Sequence, residues 1–242
     1  MWTKVKHGVP QGSVLDPLLF IIYINDLQNT IIHNATQTLF AHDTSILITG
    51  QTAHKFQDDL NSTFSQISEW VKQNSLSLNI SKTYFIQFSS KSLNYLDINI
   101  TYENNYITKV NGLKFMGLNI NNALSWKTHI DKILHKLSSA CFAMRLVKTF
   151  VSQQMLKVIY YSHFHPIISY GIIFWGNSAP SSRVFRMQKR IIRIMMGSRS
   201  RDSCRKLFNS LKILPFPSLY IFFLLRFVIK NRELFATNSY LW

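Results

Sequence analysis

The spacing of apolar residues divides the chain into a mixed first half and a helical second half. Leu18, Leu19, Ile22, Tyr23 and Leu27 follow a loop rich in Gly and Pro and predict a short helix that buries those side chains. Ser13 or Asp16 can cap it, and Pro17 suits its first turn. Thr38–Ala41 and Thr44–Thr49 read as strands around a polar turn, His42-Asp43. Phe56, Leu60, Phe64, Ile67, Trp70 and Val71 recur at spacings of three and four, so a long amphipathic helix is expected, ending at Asn74-Ser75. Strand candidates follow at Tyr84–Phe88, Leu96–Tyr102, Tyr106–Val110 and Leu113–Ile120, with turns at Asn104-Asn105 and Asn111-Gly112.

Beyond Trp126 the period becomes helical. Ile130, Ile133, Leu134, Leu137, Cys141 and Met144 mark one long helix, and Met155–Tyr170 makes another, interrupted at Pro166. In Arg183–Met196 one stripe carries Arg183, Arg186, Arg190 and Arg193, and another carries Val184, Met187, Ile191 and Ile194. A last helix, about Leu219–Lys230, closes the pattern. The longest apolar runs, Ile167–Trp175 and Leu219–Leu225, fall short of the roughly 20 residues that a membrane helix needs, and both read as buried core. The fold class is α+β, with a boundary expected near residue 125: 1–125 mixed and 126–242 all-helical.

Charge sharpens this division. The 242 residues carry 27 Lys+Arg against 11 Asp+Glu, but 16 of the basic and only 2 of the acidic side chains, Asp202 and Glu233, lie in 138–242. Such an excess points to a polyanionic partner. The region 183–206 alone holds nine basic side chains against Asp202, whereas solvated faces normally mix both signs. Two cysteines, Cys141 and Cys204, make no disulfide framework, so a reducing, intracellular setting is expected. His163 and His165 lack the Cys or carboxylate company of a zinc site. Met1–Lys6 has no apolar core behind it, so no signal peptide is read there.

Two short stretches carry candidate chemistry. Gly8, Pro10 and Gly12 alternate in a loop whose backbone must turn sharply and can approach a ligand closely. Asp43 stands at a hairpin tip on rigid supports, the placement that a metal-dependent site requires, although an Asp in a turn is most often only a turn residue.

Together these stretches closely resemble the palm of reverse transcriptases from non-long-terminal-repeat (LINE-like) retrotransposons. Gly-Val-Pro-Gln-Gly-Ser, Gly8–Ser13, is similar to the box that positions template and nucleotide, which gives Pro10, Gln11 and Gly12 that role by resemblance. Phe40-Ala41-His42-Asp43 resembles the catalytic Phe/Tyr-Ala-Asp-Asp turn, Lys82 the lysine near the incoming triphosphate, and Leu113–Leu118 the primer grip, which gives Phe115, Met116, Gly117 and Leu118 that role by resemblance. Tyr170-Gly171-Ile172, Trp175-Gly176 and Gln188-Lys189-Arg190 resemble the helical thumb and its extension. The resemblance implies a partial palm over 1–125 and a thumb with basic extension over 126–242. It further implies Arg183, Arg186, Lys189, Arg190 and Arg193 on a nucleic-acid backbone, an RNA template with a DNA primer or their hybrid, deoxynucleoside triphosphates, and Mg²⁺ or Mn²⁺. Nuclear residence follows if priming uses chromosomal DNA, and no membrane partner is expected.

This sequence departs from the family pattern where the metals are held. By resemblance, three carboxylates bind two divalent ions about 3.5–4 Å apart. His42 stands at the first Asp of the turn, leaving Asp43, and the strand expected to bring the third carboxylate has no room before Gly8. Asp16 replaces a usual Gly beside the positioning loop. Three readings follow: a degenerate polymerase fragment without activity of its own, a non-catalytic module for RNA or an RNA–DNA hybrid, and a relic without selected function.

Overall fold

The computed structural model describes residues 13–30, 35–40, 43–50, 52–88 and 98–235. Two compact units divide the chain, Met1–Val110 and Asn111–Trp242.

In the first unit α1 (Asp16–Ile24) and α2 (Leu27–Thr30) lead to an antiparallel hairpin of β1 (Ala35–Phe40) and β2 (Asp43–Ile48), followed by α3 (Ala53–Gln73). The Thr52 hydroxyl accepts from the Lys55 N–H to cap α3, and Asn74 closes it by donating its backbone N–H to the Trp70 carbonyl. Ile24, Leu27, Trp70 and Val71 form a small core with Phe20, Leu39, Ile67 and Leu76 packed against it.

The helix predicted after the first loop exists, but it does not bury the face expected. Of the five side chains expected inside, Leu27 is buried, while Leu18, Leu19, Ile22 and Tyr23 are exposed and Ile24 joins the core instead. Asp16–Ile24 is apolar almost all round, so its periodicity could not choose an inward face. Neither Ser13 nor Asp16 caps it: Leu15 holds the cap position without a side-chain bond, and Asp16 lies in the first turn.

The later strands are shorter than their patterns suggested. β3 (Tyr84–Phe85) pairs in parallel with β6 (Thr108–Lys109), and β4 (Thr101–Tyr102) pairs antiparallel with β5 (Asn105–Tyr106). The turn falls at Glu103-Asn104, both at positive φ, one residue before the expected Asn104-Asn105. The expected strand start at Leu96 lies outside the described residues.

The second unit opens with a hairpin of β7 (Gly112–Phe115) and β8 (Leu118–Asn121), then becomes helical: α4 (Lys127–Val147), α5 (Gln153–Ile159), α6 (His165–Ser169), α7 (Ile172–Trp175), α8 (Ser182–Met196), α9 (Arg205–Leu211) and α10 (Phe216–Lys230). The division therefore falls at 110/111, ahead of the expected 125/126. Leu118 of the hairpin shares one core with Ile130, Ile168, Ile172 and Trp175, which draws the hairpin into the helical unit. Between α5 and α6 the chain winds through a π turn, Tyr160–Phe164, just before Pro166. Proline has no N–H to continue the ladder, and a wider turn absorbs the mismatch without ending the helical path.

On α8 the buried stripe is Val184, Gln188, Ile191, Ile192 and Met195, with Met187 and Ile194 half-buried beside it. Of the two long apolar runs, Ile167–Trp175 is core at Ile168, Ile172 and Trp175. In Leu219–Leu225 only Leu219 is buried, while Ile221, Phe222, Leu224 and Leu225 are exposed, because α6–α8 cover one side of a helix that is apolar on several. No single described helix is long and apolar enough to cross a membrane.

Candidate nucleic-acid interface

Asp43 is exposed and begins β2, where it pairs across the hairpin with Phe40. Two residues therefore separate the strands, and Asp43 belongs to the strand and not to the turn. This follows from register: the β-branched run after it pairs as far as Ile48↔Ala35, which leaves the closing pair at Phe40↔Asp43. His42, Pro10, Gln11 and Gly12 lie outside the described residues. Lys82 is exposed at the end of a 3₁₀ turn, Ile80–Lys82, and donates its N–H to the Asn79 carbonyl at 3.1 Å. No hydrogen bond or ion pair joins Asp43 to Lys82 among the described residues.

The Leu113–Leu118 segment is a hairpin and not the single strand expected. Met116 and Gly117 both take positive φ, 42° and 79°, and Phe115 pairs with Leu118 across them. That is the backbone of a two-residue turn matched to strand twist. Asn111-Gly112, expected to form the turn, instead leads into β7. The hairpin tip is held by the α6–α7 corner: the Tyr170 hydroxyl donates to the Met116 carbonyl at 2.6 Å, and Trp175 Nε1–H donates to the Tyr170 carbonyl at 3.0 Å. Gly171 sits at φ 60°, and a Cβ there would lie 2.8 Å from Leu118 Cδ2. Two motifs 54 positions apart thus form one object, with glycine required at the corner by both backbone conformation and close approach.

Beneath the hairpin lies His129, which the sequence reading passed over. It is buried, its ring edge-on to both Trp126 and Trp175. Nδ1 accepts the Asn119 backbone N–H at 3.2 Å, which places the proton of the neutral ring on Nε2. Burial lowers its pKa below the ordinary 6.5, and the Lys136 and Lys132 charges lower it further. A charged ring would set an N–H against the Asn119 N–H. The stabilising contribution of the neutral ring is therefore complete above pH 6.5 and is lost as pH falls through the lowered folded value. Burial lowers His165 as well, with the same sign. Urea midpoints measured from neutral to mildly acidic pH should fall, and His129→Gln, which keeps an acceptor for Asn119, should fall less steeply. Equal slopes would remove His129 as a source of acid sensitivity.

The five α8 cations do not form one uniform stripe. Arg183 pairs with Asp131 of α4. Arg193 sends Nε and Nη2 to the Asp202 carbonyl at 3.0 and 2.9 Å, tying down the loop before α9. Lys189 Nζ lies 4.2 Å from the Phe185 ring centre. Arg186 and Arg190 are exposed and have no hydrogen-bond or ion-pair partner among the described residues. Gln188 points inward: Nε2 donates to the Tyr160 hydroxyl at 3.0 Å and the Leu214 carbonyl at 2.9 Å, and Oε1 accepts the Phe216 N–H at 2.7 Å. Helical spacing placed Arg186 and Arg190 outward, but a polar Gln within an arginine-rich segment gave no sign that it was core.

A hairpin carrying Asp43, the Leu113–Leu118 turn clamped on a helical corner, and a cationic helix occur here in the order of the motifs read from the sequence. Residues 2–120 match the family described as "Reverse transcriptase (RNA-dependent DNA polymerase)". That segment belongs to the reverse transcriptase family. The chain is similar to the "Probable RNA-directed DNA polymerase from transposon X-element" of Drosophila melanogaster, 24% identical over 202 residues, covering 80% of this chain and 22% of that protein. It is similar also to the "RNA-directed DNA polymerase from mobile element jockey" of Drosophila funebris, 24% identical over 216 residues, covering 82% of this chain and 23% of that protein. The chain thus spans under a quarter of the length of these curated relatives. No solved structure matches it. The similarity to the transposon proteins extends past the matched reverse transcriptase segment into the helical unit, and supports the reading of a LINE-like retrotransposon fragment.

Reverse transcriptases as a family use divalent metal, and the residues at this turn do not fit a two-ion site. Mg²⁺ takes hard oxygen ligands in near-octahedral order, while imidazole suits softer metals. The hairpin offers one carboxylate there, Asp43, next in sequence to His42. Among the described residues no three His, Cys, Asp or Glu side chains are grouped as a metal site.

Proposed function

We propose that this chain is a nucleic-acid-binding fragment of a retrotransposon reverse transcriptase, one that holds primed template and does not extend it unaided. The observation that carries the reading is the outward face of α8, where Arg186 and Arg190 stand unpaired among the described residues, in a half of the chain with 16 basic and 2 acidic side chains. Each phosphate contact by such a side chain releases counterions and makes binding salt-dependent without reading sequence. The partners of this reading are an RNA template, a DNA primer or their hybrid, and deoxynucleoside triphosphates. Asp43 as metal ligand, Lys82 near the triphosphate, Pro10, Gln11 and Gly12 at the template, and Phe115–Leu118 at the primer rest on the motif match.

Template-directed nucleotidyl transfer is the family's reaction, and the inactivity belongs to this polypeptide as it stands. Replacing a carboxylate with a neutral ring removes charge from a site that must attract two dications. If each metal lost is worth several kcal/mol, at about 1.4 kcal/mol per tenfold the rate falls by orders of magnitude.

One sample tests both halves. A primed RNA template should bind with affinity that falls steeply with salt, while Mg²⁺ or Mn²⁺ supports no extension above an Asp43→Ala control. Extension that depends on Asp43 would overturn the inactive half, and absence of binding at low salt the other.

A further inference from the structure

The N-terminal ends of α4 and α8 meet at an open groove of about 530 Å³, lined by Ser125, Lys127, Pro180, Ser182, Arg183 and Arg186. Two segments more than 50 residues apart supply its three cations. The carboxylate of Asp131 nearby is engaged by Arg183. Lys127 and Arg186 are exposed and have no hydrogen-bond or ion-pair partner among the described residues. Neither helix has a side-chain cap or an acid in its first turn, and the acid close by, Asp131, is paired with Arg183.

We infer that this groove is a phosphate seat, in which Lys127 and Arg186 together hold one backbone phosphate of bound nucleic acid. The inference rests on the nucleic-acid-binding reading and deepens it, because it adds a residue from outside α8. A concave site with cations on two walls suits a tetrahedral anion better than a flat stripe does, and an arginine can present two parallel donors to phosphate oxygens while lysine acts as a point charge. Ser182 Oγ and Ser125 Oγ line the same space as neutral hydroxyls. A phosphate held between two helices of one rigid core fixes orientation and not sequence. Arg190, four residues beyond Arg186 on α8, is outside the groove.

The test is binding of an RNA–DNA hybrid by anisotropy across a salt series, for the full chain and for Lys127→Ala, Arg186→Ala, the double variant and Arg190→Ala. Far-ultraviolet dichroism and melting check that each variant is folded. Lys127→Ala should weaken binding about tenfold at low salt, the size of a lost charge-assisted contact. The double variant should lose about one unit of slope in log K against log salt, for one phosphate released. The two single losses should add to more than the double, because both groups serve one phosphate. If Lys127→Ala binds like the parent while Arg190→Ala weakens binding, the groove is overturned and the nucleic-acid reading stands. If the parent does not bind the hybrid at low salt, both are overturned. Inorganic phosphate that occupies the groove without competing with the hybrid also overturns it.

Discussion

Gln188→Leu should destabilise the helical unit by about 3–5 kcal/mol. Leu fills nearly the same volume, so the effect isolates the hydrogen bonds. Gln188 is fully buried and satisfies three groups at once: the Tyr160 hydroxyl, the Leu214 carbonyl and the Phe216 N–H that opens α10. Tyr160 is itself fully buried, and burial pushes its pKa far up, so it stays a neutral phenol. With Leu in place, each of the three is left without its partner in a low-dielectric core, at about 1–3 kcal/mol per group. Urea unfolding followed by tryptophan fluorescence, to which Trp126 and Trp175 of this unit contribute, would measure it. A loss below about 1 kcal/mol would show that water reaches these groups and that Gln188 is no core staple.

Trp175→Ala should cost about 3–5 kcal/mol and should loosen the Leu113–Leu118 hairpin as well. Trp175 is fully buried, stacked on Phe216 at 5.6 Å between ring centres and edge-on to His129 at 5.7 Å. Its Nε1–H also holds the Tyr170 carbonyl, and the Tyr170 hydroxyl in turn holds the Met116 carbonyl. The cavity term destabilises the whole core, while the broken chain of bonds releases the hairpin tip in particular. Amide exchange at Gly117 and Leu118 should therefore accelerate more than exchange within α8. Uniform acceleration throughout the unit would mean that Trp175 supports only the core and not the tip.

Several misreadings share one cause. The α1 sequence predicts a helix, and a helix forms, but a segment apolar on every side carries no information about which side is covered. The same holds for α10, where the run Leu219–Leu225 read as core and only Leu219 is buried. Leu113–Ile120 alternates well enough for one strand, yet the positive φ at Met116-Gly117 folds it back, and Asn111-Gly112 was the more familiar turn signal. By contrast α3 and α4 agree closely with their patterns, because each has one clear apolar stripe and polar residues opposite.

What the sequence alone determined is the family motifs and their order, the α+β class, the long amphipathic helices, the cationic second half and the His42-Asp43 pair where two strands meet. These depend on residue identity and on spacing along one helix or strand, which are local properties. Only the tertiary structure decided that the 112–121 hairpin belongs to the helical unit and that Tyr170, Gly171 and Trp175 clamp its tip. It alone showed Gln188 and His129 to be core, and it brought Lys127 to the same groove as Arg186. Each of these is a contact between segments distant in sequence, and such contacts are set by which surfaces pack together, a choice that no period along the chain encodes.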